Sequence, residues 1–339
     1  MLRALFFLFC AMMLSVNGFV APAMAAPVRL TVYTAVEPDM LKKYAEAFTK
    51  QHSDIQLTWV RDSGGAITSR LLAEKEAPKA EAIFGVTLNG ILFLKENGLL
   101  HPYKPKDFDK ISERMRDASP EPYWVGMNAW VTAFCVNTKL LEKDGVPMPL
   151  SWADLLKPEY KGKIVMPNPA SSSTGFMAVW GWIQIMGKEK AWEYMEKLDK
   201  NMKMYVHSGS KPAAMAAQGE VLIGLSSPAF AHFFTGRKAP VQYAIPSEGA
   251  AWDMEASALV RQAGPIPEEK QKALAALMDF AASREVSEIA AESMYIPART
   301  DVDSRAEAGS RDTMIDMRAE QSALERDAIL QEWRKRFEK

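Results

Sequence analysis

The sequence is poor in the groups from which metal centres and many hydrolytic sites are built. It has only two cysteines and four histidines in 339 residues. Cys10 sits inside an apolar N-terminal run, so Cys135 stands alone beyond it and can form no internal disulfide. A solitary thiol in an apolar stretch is expected to be buried as a small hydrophobic side chain. There is no H-x-x-x-H and no cysteine pair, and the 20 methionines are scattered, so no metal or other cofactor is expected. The G-x-S-x-G turn is missing too, because the nearest run, "GLSSP", ends in Pro228. Of His52, His101, His207 and His232, only His207 has serines close by, at Ser208 and Ser210. A secreted serine hydrolase is therefore a remote alternative, and no enzyme is expected.

Charge of one sign is lacking as well. Lys plus Arg number 41 against 42 Asp plus Glu, too even a balance for a nucleic-acid binder or a polybasic membrane-surface protein. The one long apolar run is at the start, "MLRALFFLFCAMMLSVNGFVAPAMAAP". Arg3, the apolar centre and the Ala23-Met24-Ala25 ending read as a signal peptide over residues 1–25, not as a membrane anchor. Cys10 lies within its apolar centre, away from the cleavage point, so it marks no lipoprotein. Removing the signal takes Arg3 with it and leaves 40 basic against 42 acidic residues, a net charge of −2. No later stretch reaches the ~18 apolar residues of a membrane span, so a soluble mature chain is expected.

The mature chain alternates between strand and helix patterns. "RLTVYTA", "IQLTWV" and "EAIFGV" are β-rich; "EPDMLKKYAEAFTKQH" has Leu41, Tyr44, Ala45 and Phe48 at helical spacing; "ILFLKENGLL" is a helix stopped by Gly98. The texture changes at "EPYWVGMNAWVTAFCVN", a long strand-like run, and a second set of strands and helices comes after it. This set includes a short helix capped by Ser151, a strand at "KIVM", a helix at "KAWEYMEKLDKNM" and a buried strand at "VLIGLSS". The extended "QYAIPSEGAAWDMEASALV" leads back to two helices in the style of the first set. The tail places Leu330, Trp333 and Phe337 on one helical stripe.

The expected fold class is thus α/β with largely parallel sheets in two lobes. Lobe 1 is discontinuous, 26–124 plus 246–298; lobe 2 is 125–245; the tail, 299–339, packs on the lobes. Two crossover segments would form a hinge beside a cleft. An exported, soluble, two-lobed chain has the plan of a solute-binding protein.

Candidate chemistry concentrates where strands give way to helices. In "PASSSTGF", Ser172, Ser173 and Thr174 precede or open an apolar helix, and Gly175 permits close backbone approach. A helix start exposes N–H groups and the positive end of the dipole, so it suits an oxyanion. One serine would suffice as a plain cap. "HSGSKPAA" repeats the pattern with Ser208, Gly209 and Ser210; "RDSGGAIT" offers Ser63 and Gly64; "YTAVEPD" offers Thr34 and Ala35. Arg61 and Lys211 are the nearest cations, and both are expected at the surface. Glu37, Glu248, Asp253 and Glu255 are the carboxylates near the proposed cleft. An acid beside Trp252, as Asp253 or Glu255 would be, suits an ammonium group, although hinge acids and a core tryptophan give the same spacing.

The segments "LTVYTAVEPDMLKKYAEAF", "WVRDSGG", "LLAEKEAPKAEAIFG", "YKGKIVMPNPASSSTGF", "YVHSGSKPAAMAAQGE" and "GAAWDMEASALV" span nearly the whole mature chain. Together they resemble the periplasmic 2-aminoethylphosphonate-binding proteins of ABC importers. These form part of the ferric-iron, sugar-phosphate and phosphonate group of type II binding proteins. The resemblance implies a type II two-lobed fold, a periplasmic monomer, and an inner-membrane ABC permease as partner. It also implies phosphonate binding at Thr34, Ala35, Ser63, Gly64, Ser172, Ser173, Thr174, Gly175, Ser208, Gly209 and Ser210. The amine falls by chemical argument to Asp253 or Glu255, beside Trp252, with Glu37 a further candidate. Iron-binding relatives carry adjacent tyrosines after a "GE-x-x-I" strand; "GEVLIGLSSPAFAHFF" has none, so ferric iron is not expected. The same "SSPAF" departs from the acid-and-aromatic pattern expected for aminoethylphosphonate. Another phosphonate, or an organophosphate such as a sugar phosphate, therefore stays open.

Overall fold

The structure is a computed structural model that describes residues 26–303 and 313–338. The expected signal peptide lies outside the described residues. Among those residues no helix is long and apolar enough to cross a membrane.

The first lobe opens with β1 (Val28–Thr34), α1 (Pro38–Gln51), β2 (Ile55–Arg61), α2 (Gly64–Ala73), β3 (Ala82–Thr87) and α3 (Leu88–Glu96). β1 pairs in parallel with β2 and β3, with Val28 opposite Ile55 and Val32 opposite Ala82. Pro38 opens α1, where its fixed φ suits the first turn and its missing N–H costs nothing. The buried face of α1 is Met40, Tyr44, Ala47 and Phe48. Leu41 and Ala45, expected on that face, flank it at intermediate exposure. Phe48 meets Phe280 edge to face at 5.4 Å, and Tyr44 meets Phe84 at 5.6 Å.

The long strand-like run is two strands, β5 (Val125–Val131) and β6 (Ala133–Asn137), belonging to different sheets. The larger sheet has seven strands in the order β12-β5-β11-β3-β1-β2. Its β11 is Trp252–Val260 and its β12 is Ile296–Pro297; β4 (Leu100–His101) pairs with β11 off that path. The smaller sheet runs β10-β6-β9-β7-β8, from β7 (Ile164–Pro167), β8 (Met202–Val206), β9 (Ile223–Ser226) and β10 (Val241–Ala244). The chain therefore changes sheets at Thr132, whereas the sequence pattern places the boundary at 125. Both strands are buried along their length, and no turn residue announces the change. The return crossing lies between β10 and β11. Thr132 ties the two crossings together, with its N–H and hydroxyl both donating to Ala251 O at 2.8 and 3.1 Å.

The sheets are mixed in direction. β11 returns from the second lobe and runs antiparallel to both β3 and β5; β6 runs antiparallel to β9 and β10. Helices α4 (Thr138–Asp144) and α8 (Pro228–Thr235) are short elements absent from the sequence reading. Ser151 does cap a turn, accepting from Asp154 N at 3.0 Å, but the turn is a 3₁₀ helix over Ala153–Leu156 and not an α-helix.

The C-terminal helix, Ala319–Phe337, touches both lobes. Asn89 of α3 donates to Ser322 at 2.6 Å. At the other end, Trp333 meets Tyr205 at 5.2 Å and Phe337 at 4.4 Å. Cys135 is fully buried, and burial pushes its thiol up to about 12.

Candidate functional site

Two helix starts from opposite lobes meet across the cleft. In the first lobe β2 ends at Arg61 and α2 begins at Gly64, with Ser63 at its N-cap. In the second lobe β7 ends at Pro167 and α5 (Ser173–Met186) begins, with Ser172 at its N-cap accepting from Gly175 N. The approach is close enough to demand glycine. A Cβ on Gly64 would lie 2.3 Å from Ser173 Oγ, and one on Gly65 would lie 2.9 Å from Ala170 O and Ser171 O. On the second lobe's own side, a Cβ on Gly209 would lie 2.3 Å from Thr174 Oγ1.

The lobes are drawn together by polar contacts at this seam. Thr87 Oγ1 donates to Ser173 Oγ at 2.8 Å. His207 Nε2 and Asp62 Oδ1 are 2.8 Å apart, and Arg237 lies 3.4 Å from Asp39. The structure is thus a closed form, with a small cavity of about 60 Å³ between the lobes.

The floor of this cavity is rich in donors. Ser63, Gly64, Ser172, Ser173, Thr174 and Gly209 line it, joined by Thr87 and Ser227. Ser227 is 2% exposed and its hydroxyl has no partner among the described residues. A buried hydroxyl with no partner beside a cavity is equipped to bond whatever enters it. The first-turn N–H groups of α2 and α5 reinforce the hydroxyls, since helix starts favour negative charge.

Two carboxylates border the same cavity. Glu37 forms an ion pair with Arg61 at 2.7 Å, and Ser210 stands beside it. Burial nevertheless raises Glu37 above the usual carboxylate range. Glu255 accepts from Asn128 Nδ2 at 2.8 Å, and burial lifts it to about 7, helped by the charges of Glu37 and Asp253. Trp130, Phe230 and Tyr295 complete the wall.

Sequence comparison decides the family. Residues 78–319 match the pattern of the bacterial extracellular solute-binding proteins. The chain belongs to that family. An uncharacterized protein of Haemophilus influenzae is 30% identical over 268 residues, covering 77% of this chain and 75% of its own. A probable ABC transporter periplasmic-binding protein of Sinorhizobium fredii is 29% identical over 145 residues, 43% of this chain and 39% of that one. Among solved structures, the periplasmic binding protein AfuA of Actinobacillus pleuropneumoniae, with fructose-6-phosphate bound, superposes with a TM-score of 0.83. It is 26% identical, covering 91% of this chain and 98% of its own. Members of this family are binding proteins, and the two-lobed α/β plan is theirs.

Within that plan, several expected site residues lie away from the cavity. Thr34 is buried and accepts from Val36 N at 3.1 Å, so it shapes the turn before α1 while Ala35 reaches the cavity. Gly175 sits under Pro167 O, and Ser208 accepts from Lys211 N. Ser210 touches Glu37 but does not line the cavity. Trp252 is committed elsewhere, donating from Nε1 to Ile315 O at 2.8 Å. Asp253 shares a strand face with Glu255 but lies against the start of α3, near the N–H groups of Leu88 and Asn89. Its Oδ1 accepts from Met254 N at 2.7 Å, and its Oδ2 makes no regular hydrogen bond among the described residues. Glu248 accepts from Trp152 N and Ala153 N, holding a loop of the second lobe.

Arg61 stays at the surface as expected, yet its side chain also borders the cavity and donates from Nε to Val36 O at 3.1 Å. Trp130 and Tyr295 were not singled out in the sequence. Ser227 and Phe230 were marked there only as part of the aberrant "SSPAF", with no role assigned to either.

The buried acids give the ligand-free protein a characteristic pH dependence. Glu255 rises from 4.5 to about 7, and Asp253 from 3.8 to about 7, both chiefly by burial. The folded state then binds more protons than the unfolded chain between those values, so stability falls as pH rises through this window. The melting temperature of the ligand-free protein is expected to drop between about pH 4.5 and about 7, and Glu255→Gln to flatten part of that drop. Thermal unfolding across the range checks this; an unaltered slope in the variant contradicts the assignment.

Proposed function

We propose that the protein is a non-catalytic periplasmic receptor, exported through its N-terminal signal peptide. It captures 2-aminoethylphosphonate as a monomer and hands it to an inner-membrane ABC permease. The observation that carries the reading is one small cavity bordered by two sets of groups with opposite preferences. The helix starts and hydroxyls of α2 and α5 favour an oxyanion; Glu37 and Glu255 favour an ammonium group. A short zwitterion satisfies both at once.

Capture and closure are linked in this reading. The oxyanion bonds donors from both lobes, so the closed form gains contacts that the open form lacks. In the closed cavity each charge-assisted bond is worth more than it would be in water. An ammonium group beside Glu255 restores its ionised form and releases the proton held at neutral pH.

A sugar phosphate is the second reading, favoured by the likeness to the fructose-6-phosphate-bound structure. The carboxylates would then accept from sugar hydroxyls. The small cavity of about 60 Å³ between the lobes weighs toward the shorter ligand. Calorimetric titration with 2-aminoethylphosphonate, ethylphosphonate and fructose 6-phosphate separates the readings. The first is expected to bind, and ethylphosphonate to bind at least roughly tenfold more weakly for want of its charged partner at the carboxylates. Preference for fructose 6-phosphate would favour the second reading.

A further inference from the structure

A second, larger cavity of about 710 Å³ adjoins the first along the seam between the lobes. Glu37, Phe230 and Tyr295 line both, so these three side chains form the wall between them. The wall is drawn from both lobes: Glu37 precedes α1, Tyr295 follows α10 (Arg284–Glu292), and Phe230 belongs to α8. A group lying in this seam passes between the lobes without piercing either core.

The groove has an apolar floor and a rim whose charges are matched. Met40, Ala214, Ala229 and Phe233 supply apolar surface. At the rim, Lys42 pairs with Glu46, Lys43 with Glu292 and Arg237 with Asp39. Arg237 also lies over the Phe233 ring, 3.4 Å from its centroid. A rim already neutralised by its own pairs offers little to a second charged group. An apolar floor of this size favours an uncharged hydrocarbon substituent.

We propose that this groove is a second subsite, taking an alkyl or aryl substituent carried on the nitrogen of the ligand. Glu37 faces both cavities, so it can hold a secondary ammonium at the wall while the substituent lies outward over Met40 and Phe233. The ligand class is then N-substituted aminoalkylphosphonates as well as the parent amine. This rests on the reading given above for the inner cavity.

The test is calorimetry with 2-aminoethylphosphonate and its N-butyl derivative, on the wild type and on Ala214→Phe. Ala214 lines the groove but not the inner cavity, and its side chain is only partly buried. The wild type is expected to bind the N-butyl compound within about threefold of the parent, or more tightly. Ala214→Phe is expected to keep the parent within about threefold, as a partly exposed substitution should. It is expected to lose the N-butyl compound by roughly tenfold or more, as overpacking does. Loss of the N-butyl compound in the wild type while the parent binds overturns the subsite alone, as does equal weakening of both ligands in the variant. An N-butyl compound that binds when the parent does not supports the groove and overturns the parent as the natural ligand. Binding of neither overturns both.

Discussion

Replacing Ser173 and Thr174 together with alanine is expected to weaken ligand binding by about 2–4 kcal/mol, or roughly 30- to 1,000-fold. Both residues open α5 and line the cavity. Ser173 Oγ already accepts from Thr87, so its own proton is left to donate to an anion. Each lost bond to a charged group costs about 1–2 kcal/mol in a dry site. Ser172 remains as the cap of α5, so the ligand-free melting temperature should change little. Calorimetry beside thermal unfolding separates the two effects. Unchanged affinity in the double variant would remove the anion site from the start of α5.

Gly65→Ala should act on closure rather than on any ligand contact. Gly65 has ordinary helical geometry in the first turn of α2, where alanine is the better helix former. The open protein therefore tolerates the change, and its melting temperature should hold or rise. In the closed form the new Cβ meets backbone atoms of Ala170 and Ser171 at 2.9 Å. That loop is fixed: Asn168 Oδ1 accepts from Ala170 N at 2.7 Å, and its carbonyl accepts from Ser171 N. The lobes must stop short, stretching the bonds that span the seam. Overpacking of this kind costs about 1–3 kcal/mol, or roughly 5- to 150-fold in affinity. Gly64→Ala should cost less, because the atom it meets, Ser173 Oγ, can rotate away. Small-angle scattering with saturating ligand should show the Gly65→Ala protein less compact than the wild type. Wild-type affinity and compaction together would contradict the close approach.

The two-lobed plan was legible because strand and helix patterns alternate, change character and return. The switch at Thr132 was not, because β5 and β6 are both fully buried and only one polar residue separates them. The small polar residues at helix starts were visible as a class, and Ser63, Gly64, Ser172, Ser173, Thr174 and Gly209 do come together. Local pattern could not tell Glu255 from Asp253, which sit two apart on one strand face. That choice depends on where α3 begins, and its first N–H groups lie near Asp253. Trp252 likewise reads as a cleft aromatic until the C-terminal segment brings Ile315 O to its indole. Arg61 is the surface cation that its sequence suggests, but its place beside the cavity was hidden because its partners, Glu37 and Val36 O, lie on the neighbouring strand-to-helix turn.

In the function proposed above, one closed cavity holds an oxyanion at paired helix starts and an ammonium group at Glu37 and Glu255. Titration of the mature protein with 2-aminoethylphosphonate, in two buffers of different ionisation enthalpy, tests it most directly. Saturable binding is expected, with protons released at pH 7 as Glu255 ionises from its raised value of about 7. No binding of this ligand, or binding without proton release, would contradict the claim.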